Sequence, residues 1–172
     1  MNQVLTLSQA NLKMALWQIK ADAVNDTDLY VKVSNLGFSD DIALRLHELI
    51  KKVQKIGNKV FSIGKIILIK IIEFIKLHPH LAVGVALGIA VGILVNSIPF
   101  FGSFLAPLAM ILGVGLGAIA GHRLDKKHKG EDVYGLNTIE ITQEVIEICK
   151  EFFALVIEVC RLIFRETPEI NV

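Results

Sequence analysis

Few side chains in this chain of 172 residues have types and spacing suited to chemistry. His78 and His80 flank Pro79, His122 lies further along, and Cys149 and Cys160 lie eleven residues apart. A His-x-His pair is a possible metal pair, but no further His or Cys completes a zinc spacing. Its place at the edge of an apolar tract makes it an interfacial pair instead. On one helix the two cysteines would have Cα atoms ~16 Å apart, beyond the reach of a disulfide. They are expected to be reduced packing residues. No glycine loop ends in Lys-Ser/Thr after a strand, so no phosphate cradle is expected. No Ser/His/Asp set stands out. The chain is therefore expected to be no enzyme and to hold no metal or cofactor.

One short pattern has to be weighed separately: Arg123-Leu-Asp-Lys-Lys-His128. Arg-x4-His resembles the active-site motif of the HEPN ribonucleases, helical proteins in which a paired Arg and His help cleave RNA. The resemblance covers six residues. It implies a membrane-tethered nuclease that would need a dimer to supply a second copy of the motif. The setting favours a different role. Arg123 and His128 stand among lysines directly after the apolar tract, where a juxtamembrane anchor is expected, and no nucleic-acid partner is expected.

What must position these residues is unusually apolar. Hydrophobic residues make up 53% of the chain, and net charge is only +1. Mean hydropathy is +0.56, high for a soluble domain. Residues 77–122 contain no Asp, Glu, Lys or Arg. The stretch NSIPFFGS (96–103) carries breakers and caps and splits this tract in two. Two apolar helices are expected, 81–98 and 104–121, each spanning ~27 Å against a bilayer core of ~30 Å. Pro107 falls near the start of the second, where proline is tolerated. Each half carries a glycine row at four-residue spacing: Gly84, Gly88 and Gly92, then Gly113, Gly117 and Gly121. In lipid, close backbone approach holds helices together, and such rows permit it. The hairpin resembles, generically, those of pore-forming colicins and of glycine-zipper membrane anchors. The flanking bases, Lys70 and Lys76 before it and Arg123, Lys126, Lys127 and Lys129 after it, predict both termini cytoplasmic and the turn outside. The N-terminus has no basic n-region or cleavage site, so no signal peptide is expected.

Long charged helices are expected on either side of the hairpin. Residues 39–77 read as one long helix or two in tandem, with Ser39 as N-cap and Asp40 and Asp41 in the first turn. On one continuous helix Lys51, Lys52, Lys55, Lys59, Lys65, Lys70 and Lys76 fall within an arc of ~140°. Residues 138–166 form the counterpart. There Glu140, Glu144, Glu147, Glu151 and Glu158 fall within ~60°, opposite Val145, Ile146, Cys149, Phe153, Val156, Cys160 and Ile163. Antiparallel packing would set Lys70 and Lys76 near Glu140 and Glu144, and Lys55 and Lys59 towards Glu158. Exposed pairs of this kind contribute ~0–1 kcal/mol each and would act through register and partner choice. The alternatives are that each stripe is a solvated face, or that the lysine helix lies on anionic lipid. Short helices are expected at 8–24 and 26–35, with Gly37 as a stop.

The expected architecture is an all-α integral membrane protein with a two-helix glycine-zipper transmembrane hairpin. Its parts are a short-helix cap (1–37), a long basic amphipathic helix (38–78), the hairpin (79–122), and a basic loop with an acidic amphipathic helix (123–172). The expected function is a homo-oligomer that forms a pore in, or depolarises, a bacterial-type inner membrane, as a toxin-like or antiviral effector. The alternatives are a non-conducting anchor recruiting a cytoplasmic partner and the tethered nuclease. The expected partners are anionic lipid, further copies of the chain, and a cytoplasmic activator.

Overall fold

A computed structural model describes residues 4–56, 58–98, 101–111 and 143–166. The chain is mostly helical, and the all-α expectation holds apart from one small hairpin. Helix α1 (Leu7–Ala23) opens on a reciprocal cap. Gln9 N donates to Thr6 Oγ1 at 3.2 Å, and Thr6 N donates to Gln9 Oε1 at 2.9 Å, satisfying two donors the first turn leaves unpaired. Helix α2 (Asp26–Ser34) starts from Asn25, whose side chain accepts from Thr27 N at 2.9 Å. Gly37 then reverses the chain at φ +83°, a conformation only glycine adopts freely. Helix α3 (Asp40–Ile50) begins after Ser39 with Asp40 and Asp41 in its first turn, as expected.

Of the two alternatives for 39–77, one long helix or two in tandem, the continuous helix does not form, and two helices are separated by a short hairpin. Helix α3 closes with Lys51 N and Lys52 N bonded to the Glu48 and Leu49 carbonyls, a tightened last turn. Strand β1 (Gln54–Ile56) then pairs antiparallel with β2 (Lys59–Phe61), with Lys55 opposite Val60. Two residues, Gly57 and Asn58, separate the strands, a length and composition that favour a hairpin. Helix α4 (Ile63–Leu77) resumes afterwards. The single lysine arc therefore does not exist: Lys55 lies on β1 and Lys59 on β2, while Lys65, Lys70 and Lys76 lie on α4.

Close approach joins α3 to α4. Gly64 N donates to the Lys52 carbonyl at 3.0 Å. A Cβ at Gly64 would stand 1.8 Å from the Leu49 carbonyl oxygen and 2.9 Å from Lys52 Cβ. Next to it, Lys65 is the one buried charged residue among the described residues. Its Nζ meets Asp26 Oδ1 at 2.7 Å and donates to the Val24 carbonyl, tying α4 to the corner between α1 and α2. Gln18 adds a second tie: Ser62 N donates to its Oε1 at 2.7 Å, and its Nε2 donates to Ser62 Oγ at 3.3 Å.

The first apolar helix is slightly shorter than expected: α5 (Val83–Ser97) has 15 residues, a length of ~22 Å. The second, α6, is described over Phe101–Ile111, and the rest of its expected span, 112–121, lies outside the described residues. Among the described residues no helix is long and apolar enough to cross a membrane. Because α6 begins at Phe101, Pro107 falls inside it rather than near its start. The missing N–H removes a bond to the Ser103 carbonyl. Helix α7 (Gln143–Glu166) carries the acidic stripe, and its opposite face is buried as expected, Ile146, Cys149, Phe153, Val156, Cys160 and Ile163 included. Gly113, Gly117, Gly121, Arg123, His128 and Glu140 lie outside the described residues.

Two glycines give opposite expectations. Gly64→Ala should destabilise by about 3 kcal/mol or more, because backbone would have to move. Gly84→Ala should change stability by less than about 1 kcal/mol, since the added methyl meets open space. Urea titration of both variants checks the contrast.

Candidate functional site

Helix α5 is, with α4, the most buried of the described helices. Its sequence VGVALGIAVGILVNS holds no charge, and its only polar side chains, Asn96 and Ser97, come at the end. Val85, Ala86, Leu87, Ile89, Ala90, Val91, Ile93 and Leu94, which cover most of the helix circumference, are all buried, and the remaining stripe runs along Gly84, Gly88 and Val95. A helix apolar all round must be enclosed by protein or by lipid. Here α4, α6 and α7 pack against α5. Helix α1 lies on α4 and α7, and α3 lies on α6. Each neighbour contributes an apolar face inward.

Aromatic rings and two polar ties hold the cover in place. Phe74 of α4 packs on Phe152 and Phe153 of α7, with centroids 5.3 and 5.6 Å away. His78 joins this cluster at 4.5 Å from Phe74 and bonds through Nδ1 to the Phe74 carbonyl at 2.9 Å. His80 lies 5.8 Å from His78. The pair is thus built into the packing at the end of α4, and no metal-binding cluster occurs among the described residues. On α7, Arg161 Nε donates to the Ser97 carbonyl at 3.0 Å. That places a cation at the C-terminal, partially negative end of α5. Glu158 accepts from Leu5 N at 3.2 Å, just before α1. Two charged residues three positions apart therefore fasten α7 to the end of the apolar helix and to the start of the chain.

The glycine row of α5 is graded: Gly84 is exposed, Gly88 half-buried and Gly92 buried. No atom lies within 4 Å of a Cβ placed at Gly84, so that end of the row is open. Among the described residues no ion pair joins the lysines to the glutamates across helices. Lys70 pairs with Glu73 of its own helix at 3.3 Å and lies 5.4 Å from the Trp17 ring centre. Glu147 pairs with Lys150 at 3.9 Å. Lys55, Lys59, Lys76, Glu144, Glu151 and Glu158 are exposed. Lys55 and Lys59 sit on the hairpin, not on a helix, and so do not line up with Glu158 as a helical stripe, while Glu140, the expected neighbour of Lys70 and Lys76, lies outside the described residues. Sequence inspection missed the roles of Lys65, Arg161 and Gly64. Gly64 carried a signal, a glycine in the first turn of an otherwise strongly apolar helix. Arg161 carried none, since its partner depends on which helix end lies beside it.

Burial pushes the thiols of Cys149 and Cys160 up from 9.0 to about 12. At pH 8 this lowers the thiolate fraction about 1000-fold, and only the thiolate reacts. Alkylation of the native protein should therefore be at least about 1000-fold slower than that of the urea-unfolded chain. The folded state resists thiol ionisation while the unfolded state does not. Stability from this source is thus complete below pH 9 and falls as pH rises towards about 12. Denaturant midpoints measured across that range check the sign.

No protein-family model, curated protein or solved structure matches the chain, and the covered helix α5 is the feature from which a role has to be built.

Proposed function

We propose that this is a membrane-active protein that carries its apolar hairpin under amphipathic helices and releases it into a bilayer. Copies then associate through the glycine rows and permeabilise or depolarise the membrane, taken to be of bacterial inner-membrane type. The observation that carries this is the position of α5, apolar up to its last two residues and packed against α4, α6 and α7, of which α4 and α7 carry charged residues on their outer faces. Three further features support it. The charge-free tract runs from 77 to 122. Gly84 is open to a second helix. Leu12, Leu16 and Ile19 form an exposed apolar stripe along α1, spaced as one helix face. At ~22 Å, α5 is shorter than a ~30 Å bilayer core, and such mismatch thins or disturbs the surrounding lipid.

A second reading is favoured by one specific observation. Helix α5 offers no polar side chain before Asn96 with which to line an aqueous path. On that ground the inserted hairpin would be a non-conducting anchor whose charged helices recruit a partner. The two readings share insertion and differ in leakage.

Anionic liposomes loaded with dye separate them. If the cover lifts, adding liposomes should release dye and, at the same time, make Cys149 and Cys160 open to alkylation. Arg161→Ala should speed both by removing the tie to Ser97, and Gly88→Leu with Gly117→Leu should abolish release. Thiol exposure with no release would favour the anchor. Neither event, with protein that stays in solution, would sink both readings.

A further inference from the structure

We infer that the β1–β2 hairpin is the element that first seats the protein on a membrane, its partner being the surface of an anionic bilayer. This rests on the membrane reading above and assigns the contact within it. The hairpin and its entry carry Lys51, Lys52, Lys55 and Lys59, all exposed. No Asp or Glu occurs from Leu49 to Ile72, so nothing in the local sequence offsets this charge. The strand register sorts the side chains onto two faces. Phe61, with its cross-strand partner Gln54, turns to the body of the protein and is buried. Val60 stands opposite Lys55 on the other face, Lys59 falls by register on the Phe61 side yet is exposed, and Val53 lies just before β1. Val53 is 58% and Val60 57% exposed.

A valine paired with a lysine on the outward face, with a second exposed valine and further exposed lysines nearby, suits a surface that is negative at its headgroups and apolar just beneath. Lysine stems lie along the apolar boundary while their ammonium groups stay with the headgroups. Nucleic acid is the other polyanion such charge would attract. Sequence-tolerant binding of single strands relies on aromatic platforms, however, and the outward face of this hairpin has none. Exposed valines gain nothing against phosphate and sugar. The attachment of the hairpin is firm. Its entry is bonded through Lys52 to Gly64, and its exit through Ser62 to Gln18. A force on the hairpin therefore reaches α1, α3 and α4 directly.

Vesicle co-sedimentation tests the assignment, with the full chain and vesicles of phosphatidylcholine with or without phosphatidylglycerol. Wild type should bind anionic vesicles and not neutral ones. Attraction of ~5-fold per lysine means that the four-site variant Lys51→Gln/Lys52→Gln/Lys55→Gln/Lys59→Gln should bind about 100-fold or more weakly. Its slow thiol alkylation should be retained, which checks the fold. Val53→Ser/Val60→Ser should lose the part of binding that survives high salt, where charge attraction is screened. Independently, a fluorophore on Asn58→Cys should shift to the blue on anionic vesicles. Wild-type binding with undiminished binding by the lysine variant, or an unshifted fluorophore on bound protein, overturns the hairpin while leaving the membrane reading intact. Tighter retention of a single-stranded RNA oligonucleotide than of vesicles, lost in the lysine variant, overturns it in favour of nucleic acid. Absence of all vesicle binding by wild type overturns both.

Discussion

Helix α5 has few side chains that can face water, and the rest of the fold answers that constraint. Fifteen residues without a charge have to be walled off over most of their circumference, the open Gly84 end of the glycine row excepted. At ~25 cal/mol per Å² of apolar surface, leaving even one face of such a helix wet is costly on the scale of a domain's net stability. The walls are α4, α6 and α7. Each is amphipathic or apolar enough to give a face inward, and α1 and α3 close the gaps behind them. The order of layers follows from hydropathy alone. The identity of each wall follows from side-chain shape, as in the Phe74, Phe152 and Phe153 cluster that closes the α4–α7 seam.

Charge is used at the seams rather than in the interior. Lys65 is nearly buried, yet its ammonium ends on a carbonyl and a carboxylate at the α1–α2 corner, so burial does not leave it unpaired. Arg161 and Glu158 reach backbone groups at the end of α5 and before α1. Such bonds each contribute modestly, because water competes for exposed groups. Their effect is directional. They set where α7 lies over a surface of small and branched side chains that would otherwise allow it to slide. The hydrophobic term keeps the cover on, and the polar ties determine its register.

Much of this was legible before any coordinates. The two short helices, the stop at Gly37, the start of α3 at Ser39 and the two-sided character of α7 all follow from local chemistry and periodicity, and the structure bears them out. The long basic helix did not survive, because a lysine arc can be drawn on any helical wheel. The decisive signal was the two residues Gly57 and Asn58 between short β-branched runs. The ends of the first apolar helix, expected at 81 and 98 and found at Val83 and Ser97, differ for a related reason. Hydropathy marks where charges are absent, but helix ends depend on backbone caps such as those around Ala82 and Ile98. The roles of Lys65, Gly64 and Arg161 were missed for a different reason. Their roles are tertiary, set by a carbonyl belonging to another element.

The bond between Leu5 and Glu158 joins positions 153 residues apart in the chain. It has a consequence for the protein as it is made. Helix α7 is the last described element to be translated, and it forms one wall around α5. At ~5–20 residues per second, α5 and α6 leave the ribosome several seconds before α7 is complete. During that interval the apolar helix lacks one of its walls. Synthesis thus passes through a state with the hairpin partly bare. Whatever meets the nascent chain then, a bilayer or a chaperone, competes with α7 for the same surface before the finished fold can shut it away.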